Sequence, residues 1–295
     1  MSDIKTALPL PQTNCQVALD ILCATFRLEV EKTGFKKIIL GLSGGIDSAL
    51  TLYIAVKALG SSNVTALYLP YKLSSPASRE HASLAARACN VKLIEEDITA
   101  MADAYFNKVT SVENPNPPLP EKSLQLRLGN ILARLRMTIL YDYSTLTNSL
   151  VAGTSNKSEL LLGYSTLWGD MASAVNPIGD LYKFQIRDLS LFLNIPKEII
   201  DKAPSADLWE GQTDEGELNL TYDLIDRVLF HWIDLGWDEN RIYTAMENTG
   251  IEKNKIQSIF NKVRISQYKR KMPLIIKVSE KTIDREFRYP RDWGM

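Results

Sequence analysis

The chain has 295 residues, 45% hydrophobic and 23% charged, enough to bury a core without disulfide or metal staples and too apolar for wholesale disorder. Lys and Arg total 34 against 35 Asp and Glu, a net charge of −1, which argues against a nucleic-acid partner held by phosphate neutralisation. No apolar run approaches the ~18 residues of a membrane span, so no membrane partner is expected.

Residues 1–13 are polar and proline-bearing, without the charged-then-apolar layout of a signal peptide. Cys15, Cys23 and Cys89 form no Cys-x-x-Cys pair and are odd in number, as expected of thiols in a reducing cytoplasm. Leu19, Leu22, Cys23, Phe26 and Val30 then recur at helical spacing. Residues 37–41 form a short apolar run closed by a glycine-rich turn, which predicts a buried strand. Ala49, Leu52, Tyr53 and Val56 mark a helix that Gly60 stops. Strands are expected at 64–69 and 91–98, with a helix at 79–89 between them. Strand alternating with helix at this spacing predicts an α/β fold: a doubly wound, mostly parallel sheet flanked by helices.

Residues 113–120 hold four prolines and read as a loop. After them, Leu128, Ile131, Leu132, Leu135 and Ile139 mark the apolar face of a long helix, and Arg127, Asn130 and Arg134 share one polar stripe on it. A fourth strand is expected at 149–154. Helical patterns fill most of 158–270, with looser loops at 168–181 and 203–220, so the C-terminal part is expected to be helical. There is no internal repeat.

The turn after the first strand comprises Gly41, Leu42, Ser43, Gly44, Gly45, Ile46, Asp47 and Ser48. Glycines let backbone amides approach an anion closely, and the following helix N-terminus adds positive partial charge. No Gly-Lys-Ser/Thr follows, so this is not a Walker A loop. A carboxylate beside a phosphate site needs a cation between the two, so Asp47 implies Mg²⁺. The pattern Ser-Gly-Gly-x-Asp-Ser resembles the loop of ATP pyrophosphatases, which cleave ATP between the α- and β-phosphates.

Further motifs narrow the resemblance. Gly153-Thr-Ser-Asn-Lys-Ser-Glu159, Trp168-Gly-Asp170, Pro177-Ile-Gly-Asp-Leu-Tyr-Lys183 and Ala203-Pro-Ser-Ala-Asp-Leu-Trp-Glu-Gly-Gln-Thr-Asp-Glu215 together resemble the NAD synthetases. The resemblance covers roughly residues 35–270. It implies an adenine nucleotide α-hydrolase-like domain there, preceded by an N-terminal helix within 1–34 that could form a dimer contact and followed by a tail at 271–295. It also implies a ligase that adenylates the nicotinate carboxylate of deamido-NAD with ATP, releases pyrophosphate, and lets ammonia displace AMP.

Carried over by position, the resemblance places residues 41–48, Thr154, Lys183 and Ser205 on ATP. It places Asp47 and Glu159 on magnesium, and Arg134 and Lys269 on the pyridine nucleotide. Asp47 and Lys183 would carry the chemistry. Asn156-x-x-Glu159 is also the spacing of a helix capping box, and Lys269-Arg-Lys271 could simply complement a helix dipole. Asp207, Glu210, Asp214 and Glu215 read as a solvated loop. His81 and His231 are assigned no role.

Three positions depart from the commonest family pattern: Leu167 stands where many members have lysine, Ser173-Ala174 where many have Ala-Asp, and Tyr268 where many have histidine. These departures keep amidation of nicotinate mononucleotide as an alternative. Alternatives of another class are a tRNA-thiolating enzyme and a nucleotide-binding module without catalysis. The first would need reactive cysteines and a basic surface, the second would not need both Asp47 and Glu159. Because the match begins within about 35 residues of Met1, no fused glutaminase domain is expected. Ammonia would then be free or supplied by a separate glutaminase subunit. A homodimer is the family's habit.

Overall fold

A computed structural model of the chain describes residues 3–110, 120–205, 213–271 and 275–281. Most of the proline-rich loop, Asp207, Glu210 and most of the 271–295 tail lie outside the described residues.

Among the described residues four strands form one sheet: β1 (Lys37–Gly41), β2 (Val64–Tyr68), β3 (Lys92–Glu95) and β4 (Ser149–Val151). All pairings are parallel, in the order β3-β2-β1-β4. Along the chain come helices α1 (Ile4–Ala7), α2 (Cys15–Lys32), α3 (Ile46–Leu59), α4 (Pro76–Ala88), α5 (Thr99–Thr110), α6 (Glu121–Thr147) and α7 (Lys157–Leu162). After these follow α8 (Lys183–Phe192), α9 (Lys197–Ile200), α10 (Asp214–Leu218), α11 (Tyr222–Leu229), α12 (Glu239–Met246) and α13 (Lys253–Ile265). The expected doubly wound α/β sheet with a helical C-terminal part is present. No helix among the described residues is long and apolar enough to cross a membrane.

Alternation along β1 sorts its side chains between two cores. Ile38 and Leu40 join Leu19, Phe26, Leu50 and Ile54 from α2 and α3 on one face, whereas Ile39 joins Leu132 of α6 and Val151 on the other. A strand buried on both faces reads as an uninterrupted apolar run, which is why residues 37–41 were legible as a strand. Each of these fully buried aliphatic side chains contributes about 1.5–3 kcal/mol. A third core, around Ile225, Val228, Ile242, Ile259 and Phe260, gathers the C-terminal helices and also holds Leu8.

Both outer strands are shorter than the sequence pattern. β4 ends at Val151, opposite Ile39, although β1 runs on to Gly41; Ala152 N still donates to Ile39 O, but from Gly153 the chain bonds Val175 instead. β3, at the edge of the sheet, pairs only with β2 among the described residues and covers four residues.

The chain runs outward from β1 through β2 to β3 and then returns to the other side of β1 as β4. The order reverses between β1 and β4. In open α/β sheets this switch point, at the carboxyl ends of the strands, opens a crevice for ligands. The glycine loop leaves β1 there, and Gly153 and Thr154 leave β4 there.

Candidate active site

A cavity of about 660 Å³ opens at this switch point. Its lining includes Gly41, Leu42, Ser43, Gly45, Ile46, Asp47, Ser48, Thr154, Glu159, Lys183, Ser205, Arg134 and Lys269. Residues from β1, β4, α6, α7, α8 and the stretch after α13 thus converge on one space.

The loop is held by its own hydroxyls. Ser48 Oγ donates to Gly45 O at 3.0 Å and accepts from Ser43 N at 3.2 Å, and Ser43 Oγ accepts from Gly45 N at 3.3 Å. Gly44 is the predicted loop residue that does not line the cavity. It sits behind the loop at φ +77°, where a Cβ would lie 2.3 Å from Ser78 O. Only glycine meets both demands.

Asp47, in the first turn of α3, is the hub. Its Oδ2 accepts from Lys183 Nζ at 2.6 Å and its Oδ1 from Asn156 Nδ2 at 2.8 Å. Lys183 Nζ also lies 3.4 Å from Glu159 Oε1, and 4.9 Å from the centre of the Tyr222 ring. Lys183 is 9% exposed. Burial opposes its charge, but Asp47 and Glu159 more than offset this, and its pKa lies above the ordinary lysine value. Glu159 behaves oppositely: burial first, then the charge of Asp47, push it up to about 8 despite Lys183.

The capping box expected as the bland alternative at Glu159 is formed. Asn156 Oδ1 accepts from Glu159 N at 3.0 Å, and Glu159 Oε2 accepts from Asn156 N at 3.1 Å. The remaining oxygen, Oε1, faces Lys183 and the Tyr222 hydroxyl. Cap and site are served by different atoms of one carboxylate.

The expected solvated acids need correction at Asp214. It is 5% exposed and accepts from the hydroxyls of Tyr222 and Tyr164, each at 3.2 Å. Burial raises its pKa. Those two tyrosines supply the partners that a loop acid would otherwise take from water. Glu215 is likewise engaged, accepting from Tyr222 N at 2.7 Å.

Asp47, Glu159 and Asp214 therefore crowd around the Lys183 ammonium, and carboxylates outnumber cations. Asp47 and Glu159 offer the hard oxygen donors that magnesium takes. Among the described residues no group of three or more His, Cys, Asp or Glu side chains is placed to hold a metal ion by itself. A cation here would take two carboxylates and fill its shell with phosphate and water oxygens, which is how Mg²⁺ is usually held.

The two residues expected on the substrate side brace one turn of chain. Lys269 Nζ donates to Gly163 O at 2.8 Å and Ser165 O at 2.7 Å, and Arg134 Nε donates to Leu167 O at 3.2 Å. Asn130, on the stripe with Arg134, accepts from Thr166 Oγ1 at 2.8 Å. Arg127, on the same stripe, is exposed. Of the departing positions, Leu167 and Tyr268 line the cavity, whereas Ala174 is exposed, its amide bonded to Val151 O. His231 is buried in the C-terminal core with Nδ1 on Arg227 O.

Sequence reasoning missed Asn156, Tyr222 and Asp214 as members of the site. Asn156 could have been found, since an N-cap asparagine next to a candidate ligand has an amide to spare. Tyr222 lies on a helix that only tertiary packing brings near.

The chain matches the NAD synthase family over residues 18–273. It is 48% identical to an NH(3)-dependent NAD(+) synthetase of Trichlorobacter lovleyi over 95% of this chain and 97% of that one. Among solved structures it resembles an NH3-dependent NAD synthetase from Campylobacter jejuni, with TM-score 0.71 at 34% identity, covering 90% of this chain and all of that one. It also resembles an NMN synthetase from Francisella tularensis, with TM-score 0.76 at 30% identity, covering 90% of this chain and 99% of that one. With a cavity at the switch point, a phosphate-type glycine loop and a match spanning most of its length, the chain belongs to the NAD synthase family.

Proposed function

We propose that the chain's activity, the ATP-dependent amidation of deamido-NAD with ammonia that its family carries out, runs in this cavity with the residues in the following roles. The amides and hydroxyls of residues 41–48 hold the ATP phosphates, with Thr154 and Ser205 flanking the nucleotide. Asp47 and Glu159 hold a magnesium ion, which, when bound, neutralises phosphate charge. Lys183 is the fixed cation beside them. The observation that carries this reading is the convergence of Asp47, Glu159 and Lys183, from three separate helices, beside the glycine loop.

The chemistry follows from charge. The nicotinate carboxylate attacks the α-phosphorus, an anion approaching an anion. Lys183 reduces that repulsion and stabilises the departing pyrophosphate. The acyl-adenylate then carries AMP as a good leaving group. Ammonia attacks the acyl carbon, AMP departs with the bonding pair, and the attacking nitrogen releases a proton to solvent to leave the neutral amide. No serine or cysteine nucleophile is needed, because ammonia is itself the nucleophile.

Arg134 and Lys269 shape the subsite for the pyridine nucleotide by fixing the 163–167 turn. The dinucleotide is favoured over nicotinate mononucleotide because the relatives at 48% identity are named NAD synthetases, whereas the NMN synthetase stands at 30%. We place the enzyme in the cytoplasm as a homodimer that takes free ammonia or receives it from a separate glutaminase. The test is product analysis with Mg-ATP, ammonium and deamido-NAD. AMP and pyrophosphate in equal amounts with NAD are expected; ADP and phosphate would refute the mechanism. A preference for nicotinate mononucleotide of about 100-fold in kcat/KM, roughly 2.7 kcal/mol, would overturn the substrate choice.

A further inference from the structure

Asp226 lies on α11, one turn after Tyr222, and is 1% exposed. No lysine or arginine forms an ion pair with it among the described residues. A buried carboxylate without a cation is costly unless its oxygens are hydrogen-bonded. Each oxygen is: Oδ1 accepts from Ser158 Oγ at 2.5 Å, and Oδ2 accepts from Phe184 N at 2.8 Å. Ser158 Oγ in turn accepts from Lys183 N at 3.1 Å.

These three bonds meet a specific need. The first amides of a helix have no partner within it. Tyr182, which precedes α8, provides no side-chain cap. The amides of Lys183 and Phe184, the first two of α8, are satisfied instead by Ser158 of α7 and Asp226 of α11. Burial pushes Asp226 up to about 7, while its bonds to Ser158 and Phe184 N and the positive end of the α8 dipole favour the charged form. Capping α8 from outside has a geometric result. The backbone of Lys183 is tied to the residue next to Glu159, so the two helix starts cannot slide apart without breaking a buried bond.

We propose that Asp226 is a positioning residue for the amidation reaction, its buried carboxylate clamping the start of α7, which carries Glu159, to the start of α8, which begins at Lys183. This rests on the roles proposed above for Glu159 and Lys183. Among the described residues Asp226 makes no hydrogen bond or ion pair to either of their side chains. It acts through Ser158 and two backbone amides, and the acid is required because both of its oxygens accept. Asparagine has the same shape but one acceptor. In the Asp226→Asn variant either the Phe184 amide faces the side-chain nitrogen, donor against donor, or that nitrogen donates to Ser158 Oγ, whose hydroxyl hydrogen then loses its acceptor.

The test compares wild type with Asp226→Asn, Ser158→Ala, Glu159→Gln and Val228→Ala. Val228 is fully buried in the C-terminal core, two residues along α11 from Asp226 and without a polar side-chain atom to join the clamp. Turnover, KM for deamido-NAD, half-saturating Mg²⁺ and thermal midpoint are measured on each. The clamp predicts that Asp226→Asn lowers kcat by about tenfold or more and raises half-saturating Mg²⁺ by about fivefold, with KM for deamido-NAD within about twofold. Ser158→Ala should move both in the same direction by less. Val228→Ala should lower only the midpoint. If Asp226→Asn lowers the midpoint as Val228→Ala does, while kcat and the Mg²⁺ requirement stay within about twofold, Asp226 is structural only and the proposal fails. If Asp226→Asn does not fold, Ser158→Ala decides, and wild-type kcat and Mg²⁺ requirement there overturn the clamp. Near-normal turnover in Glu159→Gln would refute the site roles themselves, whereas its loss beside a normal Asp226→Asn refutes the clamp alone.

Discussion

Replacing Glu159 by glutamine separates its two duties, because glutamine retains one and loses the other. The amide oxygen can still accept from Asn156 N, so the capping box and α7 should survive. The negative charge is lost from a buried cluster in which Lys183 keeps Asp47 at 2.6 Å, so no ammonium is left unpaired. The sign of the stability change follows from the shifted acid. Burial and Asp47 move Glu159 from the ordinary 4.5 up to about 8, so folding disfavours its ionised form, and that penalty grows as pH rises between those values. Glutamine removes it. The ligand-free variant should therefore match wild type near pH 4.5 and gain on it towards pH 8, by on the order of 1–3 kcal/mol. Catalysis should move the opposite way. Losing one preorganised charge from a phosphate-transfer site costs about 2.7–4 kcal/mol, or 10²–10³ in kcat. Thermal melts at pH 5 and 8 and AMP release at saturating Mg-ATP and ammonium measure both quantities. Turnover within about fivefold of wild type would show that Glu159 is only a cap, and the two-carboxylate site would be wrong.

Asp47→Asn should lose activity similarly, and combining it with Glu159→Gln should cost little more than either change alone, since both act on one site as a unit; multiplied losses in kcat would contradict this. Gly44→Ala should destabilise the fold by about 2–5 kcal/mol, because the methyl would meet Ser78 O at 2.3 Å from a left-handed backbone, and an unchanged unfolding midpoint would refute the packing described. Glutamine should not replace ammonium in assays of the purified chain; robust glutamine-dependent turnover would refute the assignment of ammonia as nitrogen donor. Burial pushes the Cys89 thiol up to about 12, so at pH 8 only about one molecule in ten thousand carries the thiolate, and iodoacetamide should label Cys89 far more slowly than a free thiol. Rapid labelling, located by peptide mass, would count against its burial.

The elements that built the phosphate side of the cavity were legible because their signals are local. An apolar run, a glycine turn and an amphipathic helix lie within residues 37–59, and each follows from neighbours in sequence. What was not legible depends on contacts across the chain. Asp214 sits in the acidic run Thr213-Asp-Glu-Gly-Glu217, whose composition reads as a solvated loop; the charge of Lys183 and the hydroxyls of Tyr164 and Tyr222, 50 and 8 residues away, make its burial tolerable. The overextended fourth strand has a similar origin. Ala152-Gly153-Thr154 continues an extended pattern, but after Val151 the chain leaves β1, which runs on to Gly41, and Gly153 bonds Val175 O instead.

Glu159 shows why a local motif and a functional site need not compete for the same residue. In a capping box the third residue of the helix points back towards the residue before it, which here is Asn156. Asn156 uses Oδ1 for the cap and Nδ2 for Asp47. Glu159 uses Oε2 for the cap and Oε1 for Lys183. Each side chain has two polar ends, and the cap takes one from each. The ends that remain necessarily lie on the same side of the helix start, where the dipole and the unpaired amides favour negative charge. Here that side faces the glycine loop. The Asn-x-x-Glu spacing therefore fixes the second carboxylate at the distance from Asp47 that one lysine can bridge, and the cap supplies the rigidity that a loop-borne glutamate would lack.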